Sequence, residues 1–178
     1  RQLTKLALPL MATSFIQMAY NLIDLAWVGR LGSESVAAVG AMGMLMWMIH
    51  SIALFSKISA ELSIGQSIGV KRFDKASIYA SHTTTIAIIL GMLFFLIFLI
   101  KPYLFVAFFK LSPAISLEAA NYLRIISFTI PIIFLILNFS GIYVGSGRSY
   151  IPFYYNAIGL ILNIALDPLL IFGLGPIP

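Results

Sequence analysis

The chain contains no cysteine and few charged residues. Charged side chains make up 10% of its 178 residues, whereas a typical soluble domain has about 25%. The missing cysteine excludes disulfides, thiolate metal sites and a cysteine nucleophile. Hydrophobic residues make up 61%, and a water-soluble fold of this size cannot hide so much apolar surface. Soluble enzymes and nucleic-acid-binding proteins are therefore excluded, although the net charge is +5.

Long apolar runs are abundant, and five of them are long enough to cross a bilayer. A membrane-spanning helix needs roughly 20 mostly apolar residues. The sequence predicts spans at about residues 6–28, 35–70, 76–100, 122–147 and 151–173. Continuous apolar runs such as residues 86–100 differ from the short alternating segments of a membrane barrel. We therefore predict an all-α, polytopic transmembrane helical bundle.

Basic residues are distributed unevenly between the predicted loops. Lys71, Arg72 and Lys75 cluster between the second and third spans, and Arg148 lies between the fourth and fifth. Cytoplasmic loops of membrane proteins carry an excess of Lys and Arg. We therefore predict a multi-pass protein of the plasma (inner) membrane with its N-terminus in the cytoplasm.

The connection at residues 102–121 is the one long loop between predicted spans. Within it, Ser112 followed by Pro113 is typical of a helix N-cap with proline at the first helical position. We expect a short helix that lies at the outer surface and leads into Tyr122.

Two predicted spans carry a stripe of polar residues that ends in a carboxylate. The stripe on the first span consists of Gln17, Asn21 and Asp24. The stripe on the fifth span consists of Asn156, Asn163 and Asp167. In each case the spacing puts the three residues on one helical face. A charged residue at mid-membrane costs roughly 2.5–3.5 kcal/mol, so such stripes should face each other or a watery cavity.

The two carboxylates lie at similar predicted depths. At 1.5 Å per residue, Asp24 is roughly 27 Å and Asp167 roughly 24 Å from the cytoplasmic ends of their spans. The alternative is that both acids mark helix ends at the membrane interface and contact water. The Asn and Gln residues favour a shared site, because an interfacial acid needs no polar residues beneath it.

Prolines interrupt several of the predicted spans. Pro168 directly follows Asp167, where it removes a backbone donor and disfavours helical geometry at the preceding residue. Pro9 and Pro131 lie inside the first and fourth spans, and Pro131 is expected to be a static kink.

The second and third spans carry further ionisable residues. Lys57 and Glu61 are one turn apart, so they are spaced to form an ion pair near the inner end, where Lys can extend to the membrane surface. His50 and His82 are expected to form buried or interfacial hydrogen bonds. No cluster of His and carboxylates has the spacing of metal ligands, so we predict no transition-metal site.

Two glycine pairs have GxxxG spacing. They are Gly65/Gly69 in the second span and Gly141/Gly145 in the fourth. Such pairs allow close helix packing, although the pattern is common and only weakly specific.

Three stretches resemble a known family of transporters. They are residues 8–40 (LPLMATSFIQMAYNLIDLAWVGRLGSESVAAVG), 118–131 (EAANYLRIISFTIP) and 145–176 (GSGRSYIPFYYNAIGLILNIALDPLLIFGLGP). In this order they are similar to the multidrug and toxic compound extrusion (MATE) transporters. The resemblance covers the first five of that family's twelve helices, so residues 1–178 are expected to form part of an N-terminal lobe.

The resemblance implies a fold, an activity and partners. The fold is an inverted V of two six-helix lobes, which makes the C-terminal lobe of the same chain a partner together with the lipid bilayer. The activity is secondary active antiport without enzymatic chemistry, in which an amphipathic organic cation is exported as H⁺ or Na⁺ flows inward. No cofactor is implied besides this coupling ion.

The resemblance also assigns roles to individual residues. Asp24 looks like the first-helix acid that takes part in cation coupling, and Asn163 and Asp167 look like the fifth-helix pair that joins it. These three residues would be metal ligands only if Na⁺ is the coupling ion. Pro9 resembles a proline around which the first helix bends, and we take Pro168 as a second flexible point. Many relatives have a Gly-rich, uncharged second helix where this chain has Lys57 and Glu61.

Three alternatives to the antiporter are less consistent with the sequence. A lipid-linked oligosaccharide flippase of the same wider superfamily would be expected to line its cavity with Arg and Lys, whereas the charges here are acidic. A membrane-embedded enzyme is disfavoured because the sequence lacks GxSxG, HExxH and aspartate-rich phosphotransfer motifs. A structural membrane subunit is disfavoured because paired polar stripes are costly in a scaffold.

Overall fold

The chain folds into α-helices. The computed structural model describes residues 2–28 and 33–172, with side chains described at 7–20, 22–23 and 39–166. The helices are α1 (Gln2–Val28), α2 (Ser33–Gly69), α3 (Phe73–Ile100), α4 (Pro102–Val106), α5 (Pro113–Ser127), α6 (Ile130–Gly145) and α7 (Tyr150–Phe172), with a 3₁₀ turn at Ala107–Phe109. The described residues contain no strand, so the predicted all-α class is confirmed.

The helices belong to two compact units. One unit contains α1 and α7, and the other contains α2 to α6. The predicted polar stripes therefore lie in the same unit, although more than a hundred residues separate them in sequence.

Two helices among the described residues are long and apolar enough to cross a membrane by themselves. They are Val39–Gly69 and Phe73–Ile100. A third candidate is the pair Pro113–Ser127 and Ile130–Gly145, whose axes differ by 47°. The apolar helix Tyr150–Leu166 is shorter within the described residues. The boundaries of the five predicted spans remain a prediction.

The connection between α3 and α6 shows why the fourth predicted span is bent. Ser112 caps α5, and its hydroxyl accepts a hydrogen bond from the Ile115 amide at 3.5 Å, as the Ser-Pro pair predicts. The helix ends at Ser127, and α6 starts at Ile130 with Pro131 in its first turn. A proline there removes no intrahelical bond. The break thus precedes Pro131, which starts a new helix instead of kinking an existing one.

Aromatic and aliphatic side chains form the core of the larger unit. Phe98 and Phe134 are fully buried, and Phe94 stacks on Phe134 with ring centroids 6.2 Å apart. Phe98 makes an edge-to-face contact of 4.5 Å with Phe105 on α4. These contacts join α3 to α6 and attach the short helix α4 to the end of α3.

A buried polar cluster connects α2, α3 and α6. The Ser56 hydroxyl donates to Oδ1 of Asn138 at 3.0 Å, and Nδ2 of Asn138 donates to the Thr84 hydroxyl at 2.9 Å. Ser56 also lies 3.3 Å from the backbone oxygen of Thr83. Asn138 is fully buried, so these bonds satisfy an amide that has no access to water.

Glycines allow α6 to lie directly on the main chain of α2. A methyl group at Gly141 would lie 2.9 Å from the carbonyl carbon of Lys57 and closer still to its oxygen. At Gly145 it would lie 2.6 Å from the carbonyl oxygen of Glu61. The predicted close packing of this glycine pair is confirmed. In the other pair, Gly65 only touches Gly145, and Gly69 has nothing within 4 Å.

We predict that Gly141→Ala destabilises the protein by about 1–3 kcal/mol, because its methyl group would press on backbone that cannot rotate away. Gly43→Ala is the matched control, since a methyl group there meets nothing within 4 Å. Thermal unfolding of the purified full-length protein in detergent measures both. Equal unfolding temperatures for the two variants would contradict the close α2–α6 contact.

Candidate functional site

The first polar helix contains an internal proline. Pro9 lies inside α1, which continues on both sides of it. The Thr13 hydroxyl donates to the Pro9 carbonyl at 2.8 Å, and the Ser14 hydroxyl donates to the Leu10 carbonyl at 3.2 Å. Hydroxyl bonds of this kind often bend helices, and proline weakens the helix locally because it cannot donate. Pro9 is thus a weak point in an otherwise continuous helix.

Helices α1 and α7 are in contact at Tyr20 and Gly159. A methyl group on Gly159 would lie 2.7 Å from the Tyr20 hydroxyl oxygen and 3.8 Å from the ring carbon that carries it. Tyr20 lies one turn before Asp24 on α1, and Gly159 lies one turn before Asn163 on α7. The contact therefore brings the stripe-bearing parts of the two helices together.

Other described side chains of the stripes differ in what they contact. Asn156 donates its amide to the Pro152 carbonyl of its own helix at 2.7 Å. Asn163 is partly buried, its Oδ1 is shielded from solvent, and it has an interaction partner. Gln17 is exposed and also has an interaction partner. Asn163 therefore has a side-chain oxygen that is shielded from solvent, whereas the Asn156 amide is bound to its own helix.

The acids themselves lie outside the described side chains. Asn21 and Asp24 belong to α1, and Asp167 and Pro168 belong to α7, where only the backbone is described. Their predicted roles in cation coupling and helix bending remain predictions. Among the described residues, no group of three or more His, Asp or Glu could hold a metal ion.

Sequence reasoning missed Tyr20 and Gly159 because neither is an ionisable or amide residue. Their spacing was nevertheless informative. Tyr20 is three residues after Gln17, and Gly159 is three residues after Asn156 and four before Asn163. A glycine on a polar stripe is a position where another helix can come close, so it predicts where the stripe meets its partner.

On α2, the structure differs from the sequence-based expectation. Lys57 and Glu61 are both partly buried, but no ion pair joins them, since their charged groups lie more than 4.0 Å apart. Lys followed by Glu four residues later is the less favourable order for a helical pair. The hydrogen bonds expected for His50 and His82 are not found in the part of the chain that the structure describes.

Two described helices are long and apolar enough to cross a membrane, and a bent helix pair is a third candidate, as expected of an integral membrane protein. The MatE family model matches residues 9–169. The chain therefore belongs to the MatE (multidrug and toxic compound extrusion) family.

Individual relatives agree with the family assignment. The chain is 28% identical over 179 residues to "Probable multidrug resistance protein YoeA" of Bacillus subtilis, covering 100% of this chain and 39% of that protein. A crystal structure of MATE in complex with MaD3S superposes with a TM-score of 0.93 at 28% identity, over 98% of this chain and 39% of the other.

A second solved structure is that of a MOP superfamily transporter from Pyrococcus furiosus, which is described as having a binding pocket of reverse polarity. It superposes with a TM-score of 0.91 at 28% identity, over 98% of this chain and 39% of the other. The chain thus spans about 39% of the length of the relatives it matches. This agrees with the predicted partial N-terminal lobe, and the membrane-transporter fold is confirmed.

The Tyr20–Gly159 contact predicts a specific energetic coupling. Gly159→Ala forces the Tyr20 hydroxyl to move, whereas in Tyr20→Phe the nearest ring carbon, at 3.8 Å, tolerates the methyl group. We expect Gly159→Ala to destabilise the protein in the Tyr20 background but not in the Phe background, with a coupling of about 0.5–1 kcal/mol.

Thermal unfolding of the two single variants and the double variant measures this coupling. Gly40→Ala, which meets nothing within 4 Å, is the control and should be additive with Tyr20→Phe. Additive effects of Gly159→Ala and Tyr20→Phe would show that the two residues do not touch.

Proposed function

We propose that the chain is part of a secondary active antiporter that exports organic cations in exchange for inward H⁺ or Na⁺. The observation that carries the proposal is the Tyr20–Gly159 contact, because it brings together the parts of α1 and α7 in which the polar stripes lie. Membership of the MatE family supports it, as does the relative named as a probable multidrug resistance protein.

The contact gives a register for the two stripes. An odd number of predicted crossings separates α1 from α7, so the two helices are expected to run in the same direction. Asp24 and Asn163 each lie four residues, roughly 6 Å, beyond the contact and are then level with each other. Asp167 follows one turn later. Gln17 and Asn156 are level on the other side of the contact.

The proposed mechanism is competition for the carboxylates. Two neighbouring carboxylates in a site of low polarity do not both stay ionised without a counter-charge. A proton, a sodium ion or a cationic substrate supplies that charge. Carboxylate and amide oxygens suit a hard cation, so Asp24, Asn163 and Asp167 would hold Na⁺ if it is the coupling ion. Pro9 and Pro168 provide the points at which α1 and α7 bend when the bound cation changes.

The other functions fit less well. A lipid-linked oligosaccharide flippase needs basic groups for a pyrophosphate, whereas the stripes of this chain end in acids. The Pyrococcus furiosus protein is described as having a pocket of reverse polarity, so this fold accepts more than one pocket charge. The charge of the substrate therefore depends on the residues of this chain. Its two acids favour a cation.

We further propose that the protein lies in the plasma (inner) membrane with its N-terminus in the cytoplasm. The basic residues Lys71, Arg72 and Lys75 support this orientation, since they lie at the connection between α2 and α3. The second lobe of the transporter would come from the same chain and complete the path for the substrate.

The test is efflux of ethidium, a fluorescent organic cation, from cells that make the full-length protein. We expect Asp167→Asn and Asp24→Asn each to lower gradient-driven efflux at least about tenfold, because the coupled cation loses its counter-charge. The control is Glu118→Gln, the same loss of charge at an exposed acid on α5. Imposed proton and sodium gradients identify the coupling ion. Unchanged efflux and ion dependence in both Asn variants would refute the proposal.

A further inference from the structure

Three ionisable side chains on α2 form a third polar stripe, which the proposed mechanism does not use. His50, Lys57 and Glu61 are spaced by seven and four residues, which puts them on one face of the helix, and all three are partly buried. Lys57 lies about two helical turns from His50, roughly 10 Å along the helix axis. None of the three forms a hydrogen bond or an ion pair with another described residue. We call these three residues the α2 stripe.

The packing of α6 holds the α2 stripe in place. Gly141 and Gly145 lie on the main chain of α2 at Lys57 and Glu61. On the neighbouring face, Ser56 is bound to Asn138 of α6 and to α3. These contacts fix the rotation of α2 about its own axis. The stripe therefore runs beside the α2–α6 contact in a defined direction, although nothing in the described part of the chain binds it.

The depth of Lys57 makes its charge costly. Ser56 contacts Thr83, which lies seven residues, roughly 10 Å, inside the uncharged part of α3 that begins at Ala76. Lys57 is next to Ser56 and therefore lies at a similar depth. Glu61 is one turn nearer to the end of α2, and His50 is about two turns deeper. Charged residues at such depth normally pair or mark the path of a substrate.

We propose that Lys57 binds an anionic group of the transported molecule, with His50 as a neighbouring hydrogen-bond donor. Glu61, one turn away, binds a cationic or hydrogen-bond-donating group of the same molecule, since it forms no ion pair with Lys57. The inference rests on the proposed export function and narrows its substrate class. The preferred substrates are organic cations that also carry a carboxylate or phosphate group. Lysine suits this role because its ammonium group is a compact charge that accepts many anion geometries.

The test compares two dyes that differ only in the anionic group. Rhodamine B carries a delocalised cation and a carboxylate, and its ethyl ester carries the same cation without the carboxylate. Binding of each dye to the purified full-length protein is measured by fluorescence anisotropy. We expect Lys57→Gln to weaken rhodamine B binding about tenfold and to leave ester binding unchanged. Lys57→Arg should retain the preference for rhodamine B, because it retains the charge.

Two further variants separate this role from a structural one. Glu61→Gln removes the opposite charge of the stripe, so it should not reduce the preference for rhodamine B over the ester. Lys75→Gln removes an exposed positive charge at the start of α3 and should change neither binding constant. If Lys57→Gln weakened the binding of both dyes equally, Lys57 would have a role in the fold or in lipid contact, and the inference would be wrong. Unchanged binding of both dyes would also overturn it.

The binding measurement also separates the inference from the proposed function. A wild-type protein that prefers rhodamine B through Lys57 but moves neither dye in proteoliposomes would contradict the antiporter proposal and support the α2 stripe. A protein that exports both dyes with equal affinity would support the antiporter and refute the stripe.

Discussion

The cost of placing a polar group in an apolar environment is the constraint on which this structure depends. Serine and threonine hydroxyls offset this cost with hydrogen bonds inside their own helix. Thr84 and Ser146, for example, donate to backbone carbonyls one turn earlier. The Asn138 amide instead forms its hydrogen bonds with Ser56 and Thr84, which lie on two other helices. The buried amide thereby fixes which helices are neighbours and at what height. Polar groups that lack such partners are then candidates for binding something that is transported.

Small residues decide where helices come close enough for these polar contacts to form. Gly141 and Gly145 let α6 lie on the main chain of α2, and Gly159 makes room for the Tyr20 hydroxyl on α1. Association of helices in a membrane depends on such close packing, since lipid is as apolar as the side chains it replaces. Close packing at glycine thus has two roles. It holds the larger unit together, and in the other unit it brings α1 and α7 together at Tyr20 and Gly159.

Much of this could be predicted from the sequence, and the part that could not has a physical reason. The helical class, the Ser112 cap and the close packing of Gly141/Gly145 follow from local composition and spacing. Composition does not reveal the break between Ser127 and Ile130, because the apolar run continues through the bend. Helical spacing alone predicted an ion pair between Lys57 and Glu61. The pair does not form, and Lys followed by Glu four residues later is the less favourable order on a helix. Tyr20 was missed because its importance depends on a residue of another helix.

In the proposed mechanism, the stripes of α1 and α7 hold either the coupling ion or the cationic substrate, but not both. The most direct measurement is equilibrium binding of tetraphenylphosphonium, a permanent organic cation, to the purified full-length protein as pH is lowered or Na⁺ is raised. Competition predicts that the affinity for tetraphenylphosphonium falls with rising H⁺ or Na⁺ in the wild type. This dependence should be lost in the double variant Asp24→Asn, Asp167→Asn. Affinity that is independent of both ions in the wild type would contradict it.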